Sequence, residues 1–143
     1  MKTVNLLEVI NGISEPPACD QTLGVKVIEA KDGYSKGVWT IKEHLLNGNG
    51  VIMGGFIGAA ADIMMAYAIS SLLTENQTFA SINLQTTFHR PTFPGEVMIE
   101  AKVEKFGRTI SYLTASLKQN EKEIASVTSS IMIMKRRDNR RVD

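Results

Sequence analysis

The rhythm of apolar and polar positions changes several times along the chain. Leu6, Leu7 and Ile10 recur at helical spacing and predict a short N-terminal helix. From residue 24 the chain turns β-rich: "GVKVIEA" (24–30) and "YSKGVWTI" (34–41) flank Lys-Asp-Gly, a tight-turn signal, and predict a hairpin. Residues 52–73 are then apolar almost throughout, with alanine and methionine on every side, as in a long helix covered over most of its surface. Four β-rich segments follow: "FASINLQTTFHR" (79–90), "EVMIEAKVEKF" (96–106), "TISYLTASLKQ" (109–119) and "EIASVTSSIMIM" (123–134). Their links, Pro94-Gly95, Gly107-Arg108 and Asn120-Glu121-Lys122, are short. Valine, isoleucine and threonine alternate with polar residues in the later segments, as in half-buried antiparallel strands.

The predicted order is therefore a short helix, two strands, one long apolar helix and four strands, in an α+β fold. A single curved antiparallel sheet wrapped about the helix, with a second copy closing its open side, would cover such a helix. Gly54, Gly55 and Gly58, with Ala59-Ala60-Ala61, allow close approach of helix and sheet. There is no internal repeat or low-complexity linker, and residues 1–143 read as one domain with a basic tail from about 135.

Composition narrows the function classes. A net charge of +1 with both signs scattered gives no field that would draw nucleic acid. Lys135, Arg136 and Arg137, with Arg140 and Arg141, form the one basic cluster, which reads as a solvated tail. A lone Cys19 excludes a disulfide framework, and two scattered histidines supply no ligand spacing, so neither a metal nor another cofactor is expected. The N-terminal "TVNLLEVINGI" is too broken by polar residues for a signal peptide. Residues 52–73 are long enough to span a bilayer, but Asp62 at the centre costs about 2.5–3.5 kcal/mol there and positive flanking charges are missing. A cytoplasmic protein without membrane insertion is expected.

That aspartate is the main chemical anomaly of the chain. Asn47-x-x-Gly50-x-x-Met53-Gly54-Gly55, followed by Asp62 within "AAADIMMAYA", resembles the Asn-x-x-Gly-x-x-His-Gly-Gly…Asp signature of hotdog-fold acyl-CoA thioesterases, nearest to the phenylacetate-pathway (PaaI-like) branch. The similarity continues through "SINLQTTFHRPTFPGEVM" and "GRTISYLTASL" and spans roughly Pro16 to Met134. It implies a hotdog fold, an acyl-CoA substrate and a homodimer, often paired into a tetramer. It also implies that Asp62 is the nucleophile or general base, that Asn47 binds water or the thioester carbonyl, and that Ser81 helps to hold the catalytic water. Arg90, Lys105 and Arg108, with Thr109, fall at strand ends and turns where such folds grip CoA phosphates.

Chemistry supplies reasons for the pattern. The first N–H groups of the helix, around Gly54, form an oxyanion site at the positive end of its dipole, with Gly55 beside it. A glycine there lets a carbonyl reach the backbone. A buried carboxylate near that site is a candidate base; hydrogen-bonding the helix in register is the structural alternative. Gly54 and Asp62 are eight residues apart, or about 12 Å along one helix, too far to act on the same carbonyl. If both do so, they come from different chains and the site lies at a dimer interface.

The chain departs from the signature at Met53, where the family has histidine. Methionine can pack there but cannot donate a hydrogen bond. Met53, Phe56, Ile57, Met64 and Met65 offer an apolar lining suited to a medium- or long-chain or aromatic acyl group. Two rival functions remain. One is an acyl-thioester dehydratase, suggested by His89 in "FHRPTFPGE", although a dehydratase histidine precedes the central helix; the other is a non-catalytic acyl-CoA binding protein, suggested by Met53.

Overall fold

The structure is a computed structural model, which describes residues 3–137. Arg140 and Arg141 of the basic tail lie outside the described residues. A short helix α1 (Leu6–Ile10) and a second, α2 (Ala18–Leu23), precede the hairpin of β1 (Val25–Lys31) and β2 (Tyr34–Ile41). The hairpin turn is set by Asp32 and Gly33, both in the left-handed region at φ 52° and 79°, as a two-residue turn matched to strand twist requires. A 3₁₀ turn at Glu43–Leu45 and a loop lead into the central helix α3 (Gly54–Ser70). Five strands follow: β3 (Gln77–Ser81), β4 (Gln85–Phe88), β5 (Gly95–Lys105), β6 (Ile110–Gln119) and β7 (Lys122–Lys135).

All seven strands join one antiparallel sheet in the order β1-β2-β5-β6-β7-β3, with β4 also paired to β7. The sheet curls around α3 in the hotdog arrangement. Ile57, Ala60, Ala61, Met64, Met65, Tyr67, Ala68 and Ile69 of the helix are buried against inward residues such as Trp39, Val97, Ile99, Leu113 and Leu117. This wide contact explains a helix with almost no polar side. Helix and sheet pack tightly at Gly37, where an added Cβ would stand 2.1 Å from Met64 Cε. Ser35 Oγ donates to the Met64 carbonyl at 2.6 Å, tying β2 to the middle of α3.

Two sequence expectations require correction. Segment 79–90 is not one strand: it breaks after Ser81 and resumes at Gln85. The helix α2 falls in a stretch that carries no apolar periodicity, and tertiary contacts hold it instead. Trp39 Nε1–H donates to the Leu23 carbonyl at 2.9 Å, and Asp20 accepts from Tyr67 of α3 at 2.5 Å. Among the described residues no helix is long and apolar enough to cross a membrane.

Candidate active site

The loop before α3 is organised by Asn47. Its Oδ1 accepts from the N–H groups of Asn49 (2.9 Å) and Val51 (3.3 Å), while its own N–H donates to the Val51 carbonyl at 2.7 Å. Gly50 takes the left-handed φ of 76° that this tight loop needs. Asn47 therefore spends its acceptor on the loop, and only its NH2 group remains to meet a ligand. Ile52 N–H on the Thr92 carbonyl (2.9 Å) and Met53 N–H on the Leu45 carbonyl (3.1 Å) fix the approach to the helix.

Met53 is the N-cap residue of α3 and supplies no side-chain hydrogen bond. The first N–H groups of the helix, at Gly54 and Gly55, thus start without a side-chain cap and with the positive end of the dipole behind them. The Met53 side chain, 45% exposed, folds back so that its Cε would lie 3.1 Å from a Cβ on Gly55. At Gly54 the space for a Cβ is taken from the other side: such an atom would stand 2.7 Å from Phe88 Cζ. The sequence reading left the Gly54 vacancy to the substrate; in the fold part of it belongs to the end of the Phe88 ring.

Gly54, Gly58 and Asp62 follow one another at the four-residue spacing that stacks positions on one helix face. That face lies under β3 and β4. A Cβ on Gly58 would meet Thr86 Oγ1 at 3.0 Å and Leu84 Cδ2 at 3.6 Å, one turn beyond Phe88. One turn further, Ser81 Oγ is 3.5 Å from Asp62 Oδ1, at the outer limit of a hydrogen bond. Asp62 is half-buried, and burial pushes its carboxyl above the ordinary carboxylate range, while the Ser81 hydroxyl pulls weakly the other way.

A cleft of about 480 Å³ opens at the start of this face, with Val51, Ile52, Gly54, Ile57 and Phe88 among its walls. Arg90 stands at its edge, its Nη1 donating to the Glu123 carbonyl at 3.1 Å. His89 beside it is held by Ser126 Oγ at 2.9 Å and Glu123 Oε1 at 3.3 Å.

The fold brings Asp62 to Ser81, and Gly54 to Met53, Gly55 and Arg90, but keeps the two groups at opposite ends of one helix face. Arg108 and Thr109, exposed in the β5–β6 turn, belong to the Asp62 end, since the Thr109 carbonyl accepts from Ile133, beyond the Ile131 that pairs with Ser81. Lys105 closes β5 opposite Tyr112 near the same turn. Arg90 lies at the Gly54 end, beside the Phe88 that pairs with Ala125. Eight residue steps along β7, from Ala125 to Ile133, or about 27 Å of strand, lie between the two ends. Phe88 and Thr86 were not among the expected site residues. The signal for them was the Gly54/Gly58 pair, whose missing side chains require a neighbour that fills the space.

The fold has known relatives. A model of the thioesterase superfamily matches residues 49–126, more than half of the chain, and includes most of the loop, α3, β3 to β6 and the start of β7. A curated protein of Archaeoglobus fulgidus, named provisionally as an esterase, is 28% identical over 113 residues, covering 78% of this chain and 71% of that protein. A phenylacetic acid degradation-related protein from Ralstonia eutropha superposes with a TM-score of 0.84 at 26% identity, covering 90% of this chain and 99% of the other. The PaaI protein of the E. coli phenylacetic acid degradation operon superposes with a TM-score of 0.80 at 22% identity over 91% and 94%. On the family match and the shared architecture, the chain belongs to the thioesterase superfamily, hydrolases of the thioester bond.

Proposed function

We propose that this thioesterase hydrolyses a medium- or long-chain or aromatic acyl-CoA to the free acid and CoA, at a site shared by two copies of the chain. The observation that carries this reading is the helix face Gly54–Gly58–Asp62, with an uncapped N-terminus at one end and a desolvated carboxylate at the other. About 12 Å of helix separates the two, so one carbonyl cannot meet both within a chain. A two-fold axis across this face would set Gly54 of one protomer beside Asp62 of the partner subunit. The same operation would bring Arg90 toward the Arg108 turn of the other copy, offering cations to the CoA phosphates.

In such a site Asp62 takes a proton from water, whose oxygen attacks the thioester carbon. The negative charge that develops on the carbonyl oxygen is met by the Gly54 N–H and the helix dipole. The C–S bond then breaks, the proton passes from Asp62 to the departing sulfur, and Ser81 holds the water or the carboxylate in line. The acyl group occupies the apolar cleft under Phe88 and Ile57. The names of the Ralstonia and E. coli neighbours, both tied to phenylacetic acid degradation, support an aromatic acyl group among the substrates.

Thiol release from acetyl- to palmitoyl-CoA, with phenylacetyl- and benzoyl-CoA, measured on wild type and D62A at matched oligomer size, tests the proposal. The expected result is turnover on the longer or aromatic substrates, lower by about 10²- to 10⁴-fold in D62A. Turnover that survives the substitution would remove Asp62 from the chemistry. Saturable acyl-CoA binding with no thiol release from wild type would mark a binding protein instead.

A further inference from the structure

β3 and β4 both pair with β7, but in registers that differ by one residue. Ser81 lies opposite Ile131 and Gln85 opposite Thr128, so that three residues, Ile82 to Leu84, face two, Ser129 and Ser130. The extra residue makes a β-bulge, and because side chains alternate with a period of two, it reverses which residues face the helix. In β3 the odd-numbered Phe79 and Ser81 point inward, opposite the buried Ile133 and Ile131. In β4 the even-numbered Thr86 and Phe88 do so, opposite the buried Val127 and Ala125. A regular strand could present Ser81 to Asp62 or Phe88 to Gly54, but not both.

The bulge is closed by Asn83. Its Oδ1 accepts from the Ser130 N–H at 2.9 Å, and its carbonyl accepts from Ser129 Oγ at 2.8 Å. Ile82 N–H completes the closure on the Ser130 carbonyl at 2.8 Å. Ser129 is 1% exposed, so its hydroxyl has been taken out of water for this contact.

We propose that Asn83 is a positioning residue of the thioesterase site: its two oxygens lock the bulge that turns both Ser81 and Phe88 onto the Gly54–Gly58–Asp62 face of α3. It touches no substrate and acts through those two side chains. In a site shared between copies, one bulge serves both sites of a dimer, Ser81 in one and Phe88 in the other. This inference rests on the catalytic assignment of Asp62 and Gly54 made above.

The test compares N83A with N83D, which keeps an acceptor for the Ser130 N–H, and with S81A and F88L. Steady-state thiol release and a carbon-NMR titration of the Asp62 carboxyl are recorded on each full-length variant. N83A is expected to combine the lower kcat of S81A with the higher KM of F88L, losing about 10- to 100-fold in kcat/KM. Its Asp62 carboxyl is expected to titrate at higher pH than in wild type, as in S81A, because the Ser81 donor is displaced. N83D is expected to restore both properties. A purely structural asparagine would lower the melting temperature of N83A and leave kcat, KM and the titration of the folded protein unchanged; that outcome overturns the proposal. Should N83A fail to fold, S129A, which removes only the hydroxyl on the Asn83 carbonyl, carries the same test. If wild type hydrolyses no acyl-CoA, the functional assignment fails, while the Asp62 titration still decides whether Asn83 places Ser81.

Discussion

Asp20 and Asp62 are both carboxylates withdrawn from water beside the central helix, and they are treated differently by the fold. Asp20 is 2% exposed and accepts from the Tyr67 hydroxyl at 2.5 Å and from Cys19 Sγ at 3.4 Å. Asp62 is less buried, yet among the described residues it has only the long contact with Ser81 at 3.5 Å. Tyr67 and Asp62 are five residues apart, about 140° around α3, so the two carboxylates serve different sides of the helix. On one side a short hydrogen bond from Tyr67 and a weaker one from Cys19 make the carboxylate a fastener between α2 and α3. On the other, desolvation is left poorly compensated, which raises the basicity of the group and leaves lone pairs for water or substrate. Burial alone does not separate the two carboxylates; the donors around them do.

The largest effect expected from breaking this contrast is on the reactive side. Asp62→Asn should remove about 10²- to 10⁴-fold of thioesterase activity in the kinetic assay. Next in size is the fastener: Tyr67→Phe strips Asp20 of its short donor and should cost about 1–3 kcal/mol in denaturant unfolding while sparing kcat. Smaller is the stability consequence of Asp62→Asn. Burial raises both carboxyls, so each holds its proton more tightly folded than unfolded. The stability from this source is full below the ordinary carboxylate range and is lost as pH rises through the raised values. Asp62→Asn should therefore raise the neutral-pH melting temperature by about 2–4 °C and flatten its fall between acid and neutral pH, as calorimetry across that range would reveal. The smallest effect concerns Thr92, whose buried Oγ1 has no partner among the described residues. Thr92→Val should stabilise by about 0.5–1 kcal/mol, read from the denaturation midpoint, because no hydrogen bond is surrendered.

Much of the fold was legible because its signals are local. The Asp32-Gly33 turn, the alternation of β5 to β7 and the apolar run of α3 each follow from backbone preference or side-chain period within a few residues. Asp62 stood out by the same logic, as a charge where the surrounding pattern allows none. The limits of α3 moved inward, to Gly54 and Ser70, because the apolar residues beyond each end pack without helical backbone. Asn47 was legible as a candidate for the site but not as the organiser of its own loop, which depends on where Asn49 and Val51 turn their N–H groups.

What the sequence determined alone was most of the elements (α2 and the division of residues 79–90 excepted), the family pattern and the separation of Gly54 from Asp62, since helix rise turns a residue count into a distance. Only the tertiary structure decided which strand covers that helix face, that residues 79–90 break at a bulge, and that Phe88 fills the space beside Gly54. It alone distinguished Asp20, with the short hydrogen bond from Tyr67, from Asp62, with one long contact to Ser81. The physical reason is common to all of these: bulge register and carboxylate partners are set by atoms some 19 to 47 residues away in the chain, such as Ser81 for Asp62, Tyr67 for Asp20 and Ser130 for Asn83. No local period in the sequence records such pairs.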